Sequence, residues 1–524
     1  MSRLMPQSPK RPEPPGSRPT TRGTGLLIAS FPFVIVLYFL VQSLSFSLFK
    51  TGADIDTAEL ILYNQYWSLG YGGSQPPLYN WIAHLVSDVF GLSLVVLSMT
   101  KFAFIAICFL FIFLSARELG LDRRLAAIAS LGIFAMPEVA WETQRSLSHS
   151  VALIAFCAIA FFLFARLKRR RGALNYVAFG LSAAAIVLSK YNGALFVASL
   201  ILASLPLPRW RAIVTDRRIL LSLAVFVVAT APHFGWTLFN QDALLHRYSR
   251  FGIGAEGGFA EDRLAGIRSL IWTNLLTISV ILIPVTAALL WWRLKRGRSS
   301  RLFVDDTSLF LVLLFFVFQG VILASILTTG ATSVLNRWMQ PVLIFFPMMV
   351  LALFCGRGDA AEDDGGGHIL EADRIIYAIS LVSAIAILIA LPLDSMHYFR
   401  NRAHVSNLDY ARMFERWNEE TGSRPSTVIA NEHTLFANLL LQDPQMTLLN
   451  LFLLSKGRDV AYPAVVAWIG EGPAAAGFRA DLAQQGINVD WSAVSAMSVA
   501  KIDAPDKRVV IRYVPLAGKG GRDR

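Results

Sequence analysis

Two carboxylates three residues apart, Asp56 and Glu59, lie in the stretch of this sequence richest in chemistry. A fixed carboxylate can take the proton of an attacking hydroxyl, so both are candidate catalytic residues. Asp-x-x-Glu at a helix start is equally an N-terminal capping arrangement, and spacing alone leaves both readings open. Helical character over 54 to about 69 would put Asp56, Glu59 and Tyr63 on one face. Gly70-Tyr71-Gly72-Gly73-Ser74 ends that helix, and Gln75-Pro76-Pro77-Leu78-Tyr79-Asn80-Trp81 starts another, with Pro77 at its first position. Leu78, Trp81, Ile82, Leu85, Val86 and Val89 form one apolar stripe along it. With Trp67 and Tyr71 nearby, the pattern fits two helices lying in a membrane interface.

Candidate cations stand further along. Lys190 and Arg337 suit a phosphate, Arg by a bidentate fork and Lys as a point charge. A cation snorkelling at a membrane boundary would look the same. Lys101 falls well inside an apolar run, where a charge is costly and marks function. It either pairs with a carboxylate or contacts a lipid phosphate. Arg145, His149 and His233 lie near the same edge, where a histidine more often closes a helix end than does chemistry. The segment 240–270, with His246-Arg247-Tyr248, Arg250 and a Gly-rich run, is a candidate cover.

These groups must be positioned by membrane helices. The 524 residues are 55% hydrophobic and 16% charged, against about a quarter charged in soluble proteins. A soluble enzyme and a disordered chain are both excluded. The net charge of +12 sits in short clusters between apolar runs, which argues against nucleic acid. Cys108, Cys157 and Cys355 lie inside apolar runs and form neither a disulfide framework nor a thiolate metal site. Residues 1–24 are a Pro-, Arg- and Ser-rich tail, followed by an apolar run too long for a cleaved signal.

Eleven candidate spans run near 25–47, 92–115, 125–137, 149–165, 174–189, 191–206, 219–239, 271–292, 307–328, 338–355 and 375–393. Alternate loops, with the N-terminal tail, hold 24 Lys and Arg, and the opposite set holds eight. The richer set is therefore expected in the cytoplasm. An odd span count then places 394–524 outside, as a small periplasmic α/β domain. Strands are expected at 426–430, near 447–451, at 460–469 and at 509–514, with a helix over 431–441. No GxGxxG appears in it, and no domain for a soluble nucleotide is evident.

The first-loop Asp-x-x-Glu, the Gly-Tyr and the Gln-Pro-Pro-Leu-Tyr-x-Trp are joined downstream by Leu188-Ser189-Lys190-Tyr191-Asn192, Ala231-Pro232-His233 and Asn336-Arg337-Trp338-Met339-Gln340-Pro341. In that order they resemble the protein-mannosyltransferase-like membrane glycosyltransferases. These are glycosyltransferase family 39 and bacterial relatives such as the lipid A aminoarabinose transferases and the lipopolysaccharide-core galacturonosyl transferases. The likeness covers roughly 25–345, more loosely the C-terminal region. It implies a GT-C fold, a polytopic α-helical bundle with a cavity at the outer face, and a polyprenyl-phosphate-linked sugar donor. It also implies that Asp56 serves the acceptor. Many relatives carry Asp-Glu where this chain has Asp56-Thr57, and Ser74 and Gln75 replace the acidic residue and Lys of the aminoarabinose enzymes. That departure argues against aminoarabinose as donor and leaves a divalent metal at that spot open.

The expectation is thus an inner-membrane glycosyltransferase acting on an envelope acceptor, lipopolysaccharide core or lipid A first. Asp56 and Glu59 would be catalytic, and Lys190, Arg337 and Lys101 would hold the donor phosphate. Gln75, Tyr79, Arg145, His149, Tyr191 and His233 would contact substrate. The rival is a transporter or flippase of lipid-linked sugars, which would need broken half-helices at the midplane and inverted repeats. A binding protein that kept the fold without activity is the third reading.

Overall fold

Apolar runs of spanning length become helices because only a helix satisfies its own backbone in lipid. In the computed structural model, which describes residues 30–71, 75–240, 258–296, 302–355, 372–401, 405–455 and 457–516, seven helices are long and apolar enough to cross a membrane. They are Phe31–Phe49, Leu94–Glu118, Ser148–Leu167, Ile219–Leu238, Phe259–Ala288, Asp306–Thr329 and Ala372–Asn401. Arg123–Ala135 and Pro137–Arg145 form an apolar pair bent by 79°, the geometry of a broken span or a re-entrant loop. Ala173–Ser189, Gly193–Ser204 and Gln340–Cys355 are apolar but shorter. The eleven expected spans therefore all meet helices, but they are not eleven full crossings. The chain is an integral membrane protein.

Between lipid-facing helices close packing replaces the hydrophobic effect, and small residues allow the approach. Ala173–Ser189 meets Ile219–Leu238 at Gly180, where a Cβ would fall 2.3 Å from the Ser222 carbonyl oxygen. Leu94–Glu118 packs against both Phe31–Phe49 and Ser148–Leu167. The expected span at 271–292 starts earlier, since its helix begins at Phe259. Residues 1–29, and 241–257 of the expected cover, lie outside the described residues.

The first-loop helix is shorter than its pattern suggests, running Ile55–Tyr63. Tertiary contacts draw the next residues away: Trp67 stacks on His84 at 4.2 Å, and the Trp81 indole donates to the Ser68 carbonyl at 2.7 Å. The following helix is Leu78–Phe90, with Pro77 as its N-cap rather than its first residue. Its buried face is Tyr79, Asn80, Ala83, His84 and Ser87, whereas Leu85, Val89 and Phe90 of the apolar side are exposed. That inversion is the geometry an interfacial helix requires.

The last long helix continues past 393 to Asn401. Beyond it stands a five-stranded sheet in the order β2-β1-β3-β5-β4. β1 (Thr427–Ala430), β2 (Thr447–Leu449) and β3 (Ala464–Ile469) are parallel, and β4 (Ser495–Ala500) and β5 (Arg508–Leu516) antiparallel. Sequence patterning missed β4 and the helices Tyr410–Thr421 and Ala476–Gln484. The buried Lys501 ammonium donates to the Phe399 carbonyl at the end of the last long helix. A cation there complements the negative end of the helix dipole and ties the sheet domain to the bundle.

Candidate active site

Asp54 begins the first-loop helix. Its backbone is extended (φ −77°, ψ 177°) and its carboxylate accepts the Thr57 N–H at 2.8 Å, which makes it the N-cap. Burial pushes this carboxyl up, but Lys50 at 3.2 Å, Thr57 and Lys101 together hold it below the ordinary carboxylate range. The capping role that spacing offered to Asp56 is thus filled two residues earlier. Asp56 reaches instead across the fold, accepting the Leu147 N–H on Oδ2 at 2.9 Å.

That bond joins the first loop to the bent helical pair, and a cavity of about 330 Å³ opens beside it. Its charged lining is Asp54, Asp56, Glu142, Arg145, Arg337 and Asp394. Ile55, Leu147, Phe46 and Phe399 give it an apolar side. Arg145 pairs with Glu142 at 3.0 Å. Arg337 is exposed and forms no ion pair among the described residues. A base and a cation therefore share one wall, the pairing that glycosyl transfer from a phosphate needs. Sequence reasoning passed over Asp394 and Tyr398. Four apart at the end of a span, they had a signal only in the helix running past 393.

Other expected site residues stand elsewhere. Glu59 does not line the cavity; it hydrogen-bonds Tyr63, whose phenol is pushed up by burial and by that charge. Lys101 lies behind Asp56 in a small second cavity with Lys50 and Asp54, its ammonium donating to the Gln144 carbonyl at 2.6 Å. Lys190 donates to the Ser150 hydroxyl at 2.8 Å and is buried. Of the three cations expected at a phosphate, only Arg337 lines the larger cavity, and Arg145 joins it.

Five further expected residues lie in or against the first loop, outside the cavity lining. His233 takes Tyr191 at 2.7 Å on one ring nitrogen and the Leu69 carbonyl at 2.7 Å on the other. Tyr79 is buried with its ring 5.5 Å from that of His149. Gln75 is half-buried just before the Leu78–Phe90 helix and does not line the cavity. No three His, Cys, Asp or Glu side chains form a ligand set among the described residues, and Ser74 is not among them.

The sheet domain fixes the other end of the Asp54 turn. The buried Asn438 Oδ1 accepts the Ala53 N–H at 3.0 Å, and a Cβ on Gly52 would fall 2.5 Å from Ser406 Cβ. Replacing Asn438 by Ala strands a buried N–H, at a cost of about 1–3 kcal/mol. We expect a lower unfolding midpoint in detergent by scanning fluorimetry. An unchanged midpoint would show that water replaces the side chain.

Comparison with known proteins bears on this arrangement. Residues 74–236 match the family model described as dolichyl-phosphate-mannose-protein mannosyltransferase. The chain is 28% identical over 421 residues to the lipopolysaccharide core galacturonosyltransferase RgtB of Rhizobium johnstonii, covering 79% of this chain and 82% of that protein. It is 26% identical over 466 residues to RgtA of the same organism, covering 87% and 88%. The solved structure of apo ArnT from Cupriavidus metallidurans superposes with a TM-score of 0.55 at 14% identity, covering 94% of this chain and 98% of that one. The chain has the GT-C fold, and the relatives it matches by sequence are glycosyltransferases. A second ArnT structure, bound to undecaprenyl phosphate, superposes at 0.53 with the same coverage. The superposition thus extends over helical bundle and C-terminal sheet alike, at low identity.

Proposed function

We propose that this protein is a glycosyltransferase that moves a sugar from a polyprenyl-phosphate carrier to the core of lipopolysaccharide, with galacturonic acid as the sugar. Its cavity would face the periplasm from a bacterial inner membrane, the N-terminus lying in the cytoplasm. Support for the substrates comes from the two galacturonosyltransferases, which match this chain over most of both lengths. The ArnT complex supports the carrier. The observation that carries the chemistry is that Asp56, Arg145 and Arg337 line one cavity.

In this reading Asp56 takes the acceptor hydroxyl proton while that oxygen attacks the sugar C1. The bond from C1 to the phosphate oxygen breaks, and its electron pair leaves with the phosphate. Arg337, with Arg145, offsets the charge that develops there. A nucleotide pocket is not needed, because the sugar arrives activated on its lipid.

The test is mass spectrometry of lipopolysaccharide from cells with the gene, without it, and with Asp56→Asn. Loss of one uronic-acid-sized mass in both the deletion and the variant is expected. A deletion defect fully restored by Asp56→Asn would move the transport reading ahead.

A further inference from the structure

Among the described residues only two non-glycine positions have positive φ, Leu147 (65°) and Asn407 (53°). Asn tolerates the left-handed region through local hydrogen bonding, whereas Leu has no such compensation. A strained residue on a cavity wall invites the question of what the strain holds in place.

The surrounding backbone answers it. Arg145 and Ser146 spend their N–H groups on the carbonyls of Trp141 and Glu142, completing the Glu142–Arg145 turn. The Leu147 carbonyl starts the next helix by accepting from Ser150 at 2.9 Å. Only the Leu147 N–H between them leaves the helical ladder, and it goes to Asp56 Oδ2 at 2.9 Å. In a continued helix that N–H would point back to the Thr143 carbonyl, but Ser146 is extended (φ −149°, ψ −151°) and turns it out of the ladder. The left-handed Leu147 then sets how that N–H, and the carboxylate it holds, stand against the helix Ser148–Leu167 that follows.

We propose that Leu147 is a positioning residue for Asp56, through its backbone and not its side chain. With Oδ2 held by an N–H, Oδ1 is the oxygen left for the acceptor proton; no hydrogen bond to Oδ1 is found among the described residues. The proposal rests on Asp56 being the base.

The two origins predict opposite orders at position 147. If the backbone matters, Gly and Asn, which enter the left-handed region readily, retain activity, and β-branched Val does not. If the apolar side chain matters, Val survives and Gly and Asn fail. Leu147→Gly, Leu147→Asn and Leu147→Val would be assayed as full-length protein in detergent, with polyprenyl-phosphate galacturonate and purified lipopolysaccharide core. We expect Gly and Asn within about threefold of the natural kcat, and Val about ten- to a hundredfold lower at an unchanged donor KM, the scale of a small misplacement. Unfolding midpoints identify any variant that fails to fold, and Gly and Asn rescue separates misfolding from misplacement. The reversed order, or a donor KM that moves with kcat in Val, overturns the proposal. Asp56→Asn, run beside them, keeps the two claims apart: full activity there sinks the base, whatever the order at 147.

Discussion

Asp56→Asn is expected to lower the rate of sugar transfer by about 10²–10⁴-fold, the usual contribution of a positioned general base. The substitution is close to isosteric, and an amide oxygen can still accept the Leu147 N–H that the carboxylate accepts now. The helix start is unaffected, because its cap is Asp54. Donor binding and the unfolding midpoint should therefore stay as they are, and kcat alone should fall. Steady-state rates with varied donor and acceptor, beside a donor-binding isotherm, make the distinction. A variant that turns over normally would return Asp56 to a purely structural part.

The other large effect is expected at Arg337. It is exposed on the cavity wall without an ion pair among the described residues, so removing its charge breaks no internal contact of that kind. Arg145 is different, since its loss would leave Glu142 unpaired. If Arg337 meets the leaving phosphate, Arg337→Ala should cost about 10²–10³-fold in kcat, the effect of removing one donor from a developing anion. Arg337→Lys should recover part of this, as it restores charge without the two-pronged fork. Single-turnover rates for the three proteins decide it. Equal rates for Ala and Arg would remove this residue from the chemistry and leave the phosphate to Arg145.

Lys101 shows how far a sequence argument reaches. A lysine inside an apolar run had to be functional or paired, and the two could not be separated. Its ammonium bonds the Gln144 carbonyl and sits 4.7 Å from the Phe46 ring centre, behind Asp56 and outside the larger cavity. Depth along a helix is readable from the chain. The side of the helix that meets a cavity depends on its neighbours.

What the sequence alone determined is local or additive. Each apolar run became a helix, because a helix closes its own hydrogen bonds regardless of its neighbours. Asp56 was singled out by a motif that fits inside one loop, and four strands and a helix of the C-terminal domain followed from short patterns. What the tertiary structure decided is everything that needs two distant segments at once. It gave the cap to Asp54, brought Asp56 to the Leu147 N–H from 91 residues away, and put Arg337 and Asp394 on the same wall. It also withdrew Glu59, Lys190 and Tyr79 into contacts of their own. Periodicity fixes which residues share a face of one element. Which faces meet depends on packing, and the bend of 79° after Ala135 sets the wall of this site.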